Sequence, residues 1–123
     1  MTSLPILGSA MKPYWPPAQP WLTLSQALHT YFAVSDVRQV QVEGLDGTTY
    51  IDTADGWTSK TQPGPLRFNA ETDRIYLDTP AQVSIVDKDW QRRIQLTAQG
   101  SKSTVIWNPW TERAKAFDDM ADY

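Results

Sequence analysis

Apolar and polar positions alternate with a period of two along most of this chain, the spacing that sends successive side chains to opposite faces of a strand. The clearest run covers residues 24–32. Leu24, Gln26, Leu28, Thr30 and Phe32 fall on one side, and Ser25, Ala27, His29 and Tyr31 on the other. The first set predicts a face packed on a core. The second predicts a face lining a cleft, with small residues that leave room above the sheet. After a turn at Ser35-Asp36, alternation resumes through Arg38, Val40 and Val42. Residues 44–47, two glycines with Leu45 and Asp46 between them, predict a turn with positive φ.

The same pattern continues to the end of the chain. Residues 48–51 predict a short strand, Asp55-Gly56 a turn, and residues 59–65 a loop. Residues 66–68, 75–77, 83–86, 93–97 and 104–107 predict further short strands, with a hairpin around Asp87-Lys88-Asp89. Only residues 111–120 carry helical cues, with Thr111 placed to cap. About eight short strands and one short C-terminal helix predict an all-β chain, an antiparallel β-sandwich. Residues 1–20 hold five of the nine prolines, among them Tyr14-Trp15-Pro16-Pro17. Proline fixes φ and removes a donor, so an extended arm over 1–20 is expected ahead of a β-sandwich domain over 21–123.

Composition narrows the functions open to such a chain. Its 123 residues allow one domain with a real core, and 41% hydrophobic with 20% charged residues is a globular balance. A net charge of −3 with no basic stripe disfavours nucleic acid. The absence of cysteine excludes disulfides and thiolate metal sites, and a single histidine makes zinc or iron improbable. No apolar run reaches the length of a membrane span, and the first ten residues lack the basic lead of a secretory signal. A cytoplasmic location without cofactor or metal is the expectation. The six tryptophans, Trp15, Trp21, Trp57, Trp90, Trp107 and Trp110, offer faces for sugar stacking, although packing at the core edge is the commoner use of indole.

His29 is the chemical focus of the sequence. Imidazole titrates near neutrality and exchanges protons readily, so a histidine on a cleft face suits general acid work; alone in a strand it is more often a structural hydrogen-bonding residue. Asp73, read alone, is a turn or strand-end residue with Arg74 as its solvated neighbour. Asn108, before Pro109, fits a turn better than a ligand contact.

The motif Ala27-Leu28-His29-Thr30-Tyr31-Phe32, followed by Val34, Asp36 and Val37, resembles the signature of the hexose-6-phosphate mutarotases. These form the glucose-6-phosphate 1-epimerase branch of the aldose 1-epimerase superfamily. The likeness continues in register through Val42-Glu43-Gly44-Leu45-Asp46-Gly47, Tyr50-Ile51-Asp52, Thr72-Asp73-Arg74-Ile75-Tyr76-Leu77 and Val105-Ile106-Trp107-Asn108-Pro109-Trp110. It covers about residues 22–123.

The resemblance implies part of a galactose-mutarotase-like supersandwich and the interconversion of sugar anomers by ring opening. Opening needs a proton delivered to the ring oxygen and another removed from the anomeric hydroxyl, which an acid and a base accomplish without metal or cofactor. It further implies His29 as the acid and Asp73 as a ligand for sugar hydroxyls, with Trp107 and Asn108 as substrate contacts. The family's general base, a glutamate, lies on a strand past the last residue here, and its phosphate-gripping arginines precede the first motif. Glu43, Glu71 and Glu112 do not occupy the base position. Loss of activity is therefore expected, at ~10²–10⁴-fold per missing general-catalytic group. A hexose or hexose phosphate is the expected ligand, and a homodimer is expected to cover sheet edges left open. The alternatives are a non-catalytic carbohydrate-binding module and an oligomeric structural remnant of the fold.

Overall fold

The alternating segments form antiparallel ladders in a computed structural model, which describes the backbone of residues 2–11 together with residues 23–120. In chain order the strands are β1 (Thr2–Met11), β2 (Leu24–Phe32), β3 (Gln41–Glu43), β4 (Thr49–Asp52) and β5 (Thr58–Thr61). They continue as β6 (Leu66–Arg67), β7 (Thr72–Leu77), β8 (Gln82–Asp87), β9 (Arg92–Thr97) and β10 (Ser103–Asn108), before helix α1 (Trp110–Ala114). A six-stranded sheet runs β2-β1-β10-β7-β4-β5 and a four-stranded sheet runs β6-β3-β8-β9. Nearly all the structure is β, in two antiparallel sheets with one short helix, as the alternation predicts.

Ile106, Tyr76 and Tyr50 of the large sheet face Val42, Leu66, Ile85 and Val83 of the small one, and Val40, Leu45 and Phe68 complete the core between them. Parity fixes which residues lie inside. Register pairs Thr104 with Tyr76 and Tyr76 with Tyr50, so the even-numbered positions of β10, β7 and β4 share the buried face. Burying these side chains supplies the main favourable term in folding.

Two polar clusters accompany this packing, one inside it and one at the sheet edge. The buried Tyr76 hydroxyl donates to Gln62 Oε1 at 2.7 Å, and Arg74 Nη1 donates to the same oxygen at 3.1 Å while its guanidinium lies 4.7 Å over the Tyr50 ring. Burial pushes the Tyr76 phenol up to about 12, with the Arg74 contact opposing it. Arg74 is therefore half-buried and on the face opposite Asp73, not a solvated neighbour of it. In the β4–β5 hairpin, Lys60 Nζ donates to Asp55 at 2.6 Å and to the buried Asp52 at 2.9 Å.

Several local expectations change. Thr58–Thr61 is a strand where a loop is predicted from residue 59. Its polar sequence hides the ladder it makes with β4, because an edge strand needs no apolar face. Helix α1 is capped by Pro109 with no side-chain bond, so Thr111 lies inside the first turn rather than before it. The first half of the predicted arm is β1, which pairs with β2 on one side and β10 on the other. Tyr14, Trp15, Pro16 and Pro17 lie outside the described residues. The predicted turn at 44–47 has φ +99° at Gly44 and +73° at Gly47. A Cβ at Gly44 would meet the Gln82 carbonyl oxygen at 2.8 Å, so both backbone and space require glycine there.

The β2 expectation is corrected in part. Its even-numbered side was predicted to pack on a core, yet Leu24 is 49% and Leu28 64% exposed. Only Phe32, at the strand's end, packs against the core cluster. The reason is topological: β2 is the outermost strand of a six-stranded sheet backed by only four strands.

Candidate functional site

The odd-numbered positions of the large sheet face away from the small sheet. Register aligns Tyr31 with Ser3, Ser3 with Trp107, and Trp107 with Asp73 across β2, β1, β10 and β7. Directly opposed residues share a face, and His29 shares that of Tyr31 because it lies two positions before it. His29, Trp107 and Asp73 therefore stand on one face. β1 separates β2 from β10, so Tyr31 and Asp73 are three strand spacings apart, ~14 Å at the backbone.

The His29 ring is exposed and flanked by two aromatic rings. Its centroid lies 4.8 Å from Tyr31, tilted by 36°, and 5.9 Å from Trp107, edge-on at 69°. Trp107 is held in turn by Phe117, edge-on at 5.8 Å, in the turns that follow α1. Asp73 is half-buried, and its backbone carbonyl accepts from both the amide (2.9 Å) and the hydroxyl (3.1 Å) of Thr53, tying β7 to the start of the β4–β5 turn.

Asn108 points the other way. It is buried, and its Oδ1 accepts the Trp110 amide at 2.9 Å, stabilising the turn in which Trp110 takes φ +58°. The turn-forming reading of Asn108 describes this contact.

Beside the aromatic row lies a cleft of about 600 Å³ whose lining includes Tyr31, Trp107, Asn108, Trp110 and residues 34–38. Arg38 forks onto Asp36 with contacts of 2.9 and 2.7 Å, and this clamp lowers the Asp36 carboxyl to about 2. The segment carrying Asp36 is anchored by a residue of β8. Asp87, 1% exposed, accepts from the Ser35 hydroxyl at 2.6 Å, the Ser35 amide at 2.7 Å and the Trp90 amide at 3.2 Å. Burial alone would raise the Asp87 carboxyl, but these donors outweigh it and leave it lowered. Arg92 donates to the Ala33 carbonyl on the same segment.

Phe117 and Asp87 are the supporting residues that sequence reasoning missed. Period two already places Tyr31 beside His29. Nothing local marks Asp87, which reads as a hairpin turn residue, because its partner lies 52 positions away. Among the described residues, no three histidine, aspartate or glutamate side chains gather as metal ligands, and no helix is long and apolar enough to cross a membrane.

Residues 21–123 match the aldose 1-epimerase family. The chain is 38% identical over 97 residues to a protein of Cenchrus ciliaris, covering 78% of this chain and 30% of that protein. It is 36% identical over 100 residues to one of Escherichia coli, covering 80% and 33% respectively. A Haemophilus influenzae protein is 32% identical over 93 residues, covering 76% and 34%. All three are provisionally named glucose-6-phosphate 1-epimerases, and the chain spans about a third of their length. With these motifs in register on an antiparallel sandwich, the chain belongs to the aldose 1-epimerase family.

Proposed function

We propose that the face carrying His29, Trp107 and Asp73 binds an aldose, with a hexose 6-phosphate the favoured substrate, and serves anomer interconversion by acid–base ring opening. The observation that carries this reading is the His29 imidazole, exposed between two aromatic rings on the face that also holds Asp73. Trp107 and Tyr31 offer an apolar platform for the C–H face of a pyranose. Asp73 accepts hydrogen bonds from sugar hydroxyls. His29 delivers a proton to the ring oxygen as the C1–O5 bond breaks, while a base takes the proton of the anomeric hydroxyl; reclosure on the other carbonyl face gives the second anomer. The relatives' names support hexose 6-phosphate as the substrate class.

A second reading, sugar binding without turnover, is favoured by where the glutamates lie. Glu43 pairs with Arg93, Glu71 with Arg113 and Glu112 with Lys115, so each is engaged in an ion pair. Exchange NMR on the two anomers of glucose 6-phosphate, run beside titration calorimetry, separates the readings. Mutarotation predicts saturable acceleration that falls ~10²-fold or more in His29→Ala. Binding alone predicts heat of association, weakened in Asp73→Ala, with no acceleration. Neither heat nor exchange at high protein concentration removes both.

A further inference from the structure

We infer that β2 is a self-association edge through which two copies of this chain pair, antiparallel, into one continuous sheet. Among the described residues the two sheets have four edges, formed by β2, β5, β6 and β9. Three carry the features that discourage edge-to-edge pairing. β5 contains Lys60, β9 begins with Arg92-Arg93, and β6 is two residues long, directly after Pro65, and contains Arg67. β2 has none of them. Its nine residues, Leu-Ser-Gln-Ala-Leu-His-Thr-Tyr-Phe, include no lysine, arginine, aspartate, glutamate or proline. Every one from Leu24 to Tyr31 is exposed, with Leu24, Leu28 and Tyr31 among the large apolar side chains left in solvent.

Charge and symmetry favour a second copy as the occupant. A two-fold axis through Leu28 aligns all nine residues, with Leu28 opposite its own copy, Leu24 opposite Phe32 and Ala27 opposite His29. No like charges meet anywhere in this pairing, and no charged side chain has to be desolvated to form it. The leucines of both copies then form one apolar stripe on the side facing the small sheets. His29 stays on the opposite face, with only the partner's alanine across from it. This contact is independent of whether the sugar reading holds. The buried area is at the small end for specific interfaces, ~1,000 Å² in total, so dissociation in the micromolar range is expected.

Sedimentation velocity from about 1 to 300 μM on the intact chain, with Leu28→Lys and Leu28→Glu, tests the pairing. The expected result is a concentration-dependent dimer for the wild type and a midpoint shifted at least ~10-fold upward for each variant, because like charges meet at the axis. Mixing the two variants restores the dimer. Leu28 is 64% exposed, so both variants are expected to fold; the double variant Gln26→Lys/Thr30→Lys, whose two exposed positions oppose each other in this register, repeats the like-charge test if circular dichroism shows otherwise. A wild-type dimer that Leu28→Lys leaves intact overturns the proposal, as does a mixture that stays monomeric. A wild-type chain monomeric throughout also overturns it, and hydrogen exchange then identifies the occupant. Protected β2 amides mean that the chain covers its own edge, and fast exchange means that the edge stays open to water.

Discussion

Replacing Asp87 by alanine tests how the cleft wall is held. The side chain is 1% exposed and accepts three hydrogen bonds, from the Ser35 hydroxyl, the Ser35 amide and the Trp90 amide. A hydrogen bond to a charged partner contributes ~1.5–3 kcal/mol net, but Ser35 is only half-buried and water would replace part of what is lost. The expected destabilisation for Asp87→Ala is therefore ~3 kcal/mol, and for Asp87→Asn, which keeps the shape and one acceptor oxygen, about half that. Urea unfolding followed by tryptophan fluorescence at pH 7 measures both.

The pH dependence gives a second check on the same residue. The Asp87 carboxyl is lowered in the folded chain. Its contribution is therefore fully present above the unfolded value, near 4, and is lost as pH falls through the lower folded value. The stability gap between wild type and Asp87→Asn should close below pH 4. Other carboxylates with lowered values, Asp36 and Asp55 among them, are common to both proteins and cancel in the difference. A gap under ~0.5 kcal/mol at pH 7, or one indifferent to pH, would refute the anchoring role.

Two further substitutions probe the interior. Tyr76→Phe removes the 2.7 Å bond to Gln62 and should cost ~1 kcal/mol at pH 9. The phenol is pushed up to about 12, so its contribution is complete below pH ~10 and is lost as pH rises toward 12; denaturant midpoints should converge for the two proteins over that range. Gly44→Ala meets both φ +99° and the 2.8 Å approach to Gln82, and should cost ~2 kcal/mol, seen as a Tm lowered by roughly 8 °C in a thermal scan.

Most of the strands from residue 24 onward, the antiparallel sandwich, the hairpin at Asp87-Lys88-Asp89 and the glycine turn at 44–47 were legible from alternation and turn chemistry, which are local properties of consecutive residues. The same parity placed His29 and Tyr31 on one side of β2, and the family motifs pointed to Asp73 and Trp107. Local pattern could not reveal what lies across a sheet. That β1 enters between β2 and β10, that the leucines of β2 face solvent, and that Asp87 holds Ser35 from 52 positions away all depend on long-range pairing. Alternation marks two faces of a strand but not which neighbour, if any, covers each of them. Arg74 and Asp73, adjacent in sequence, part company for that reason: one lies over Tyr50 inside the sandwich and the other stands opposite Trp107 on the outer face.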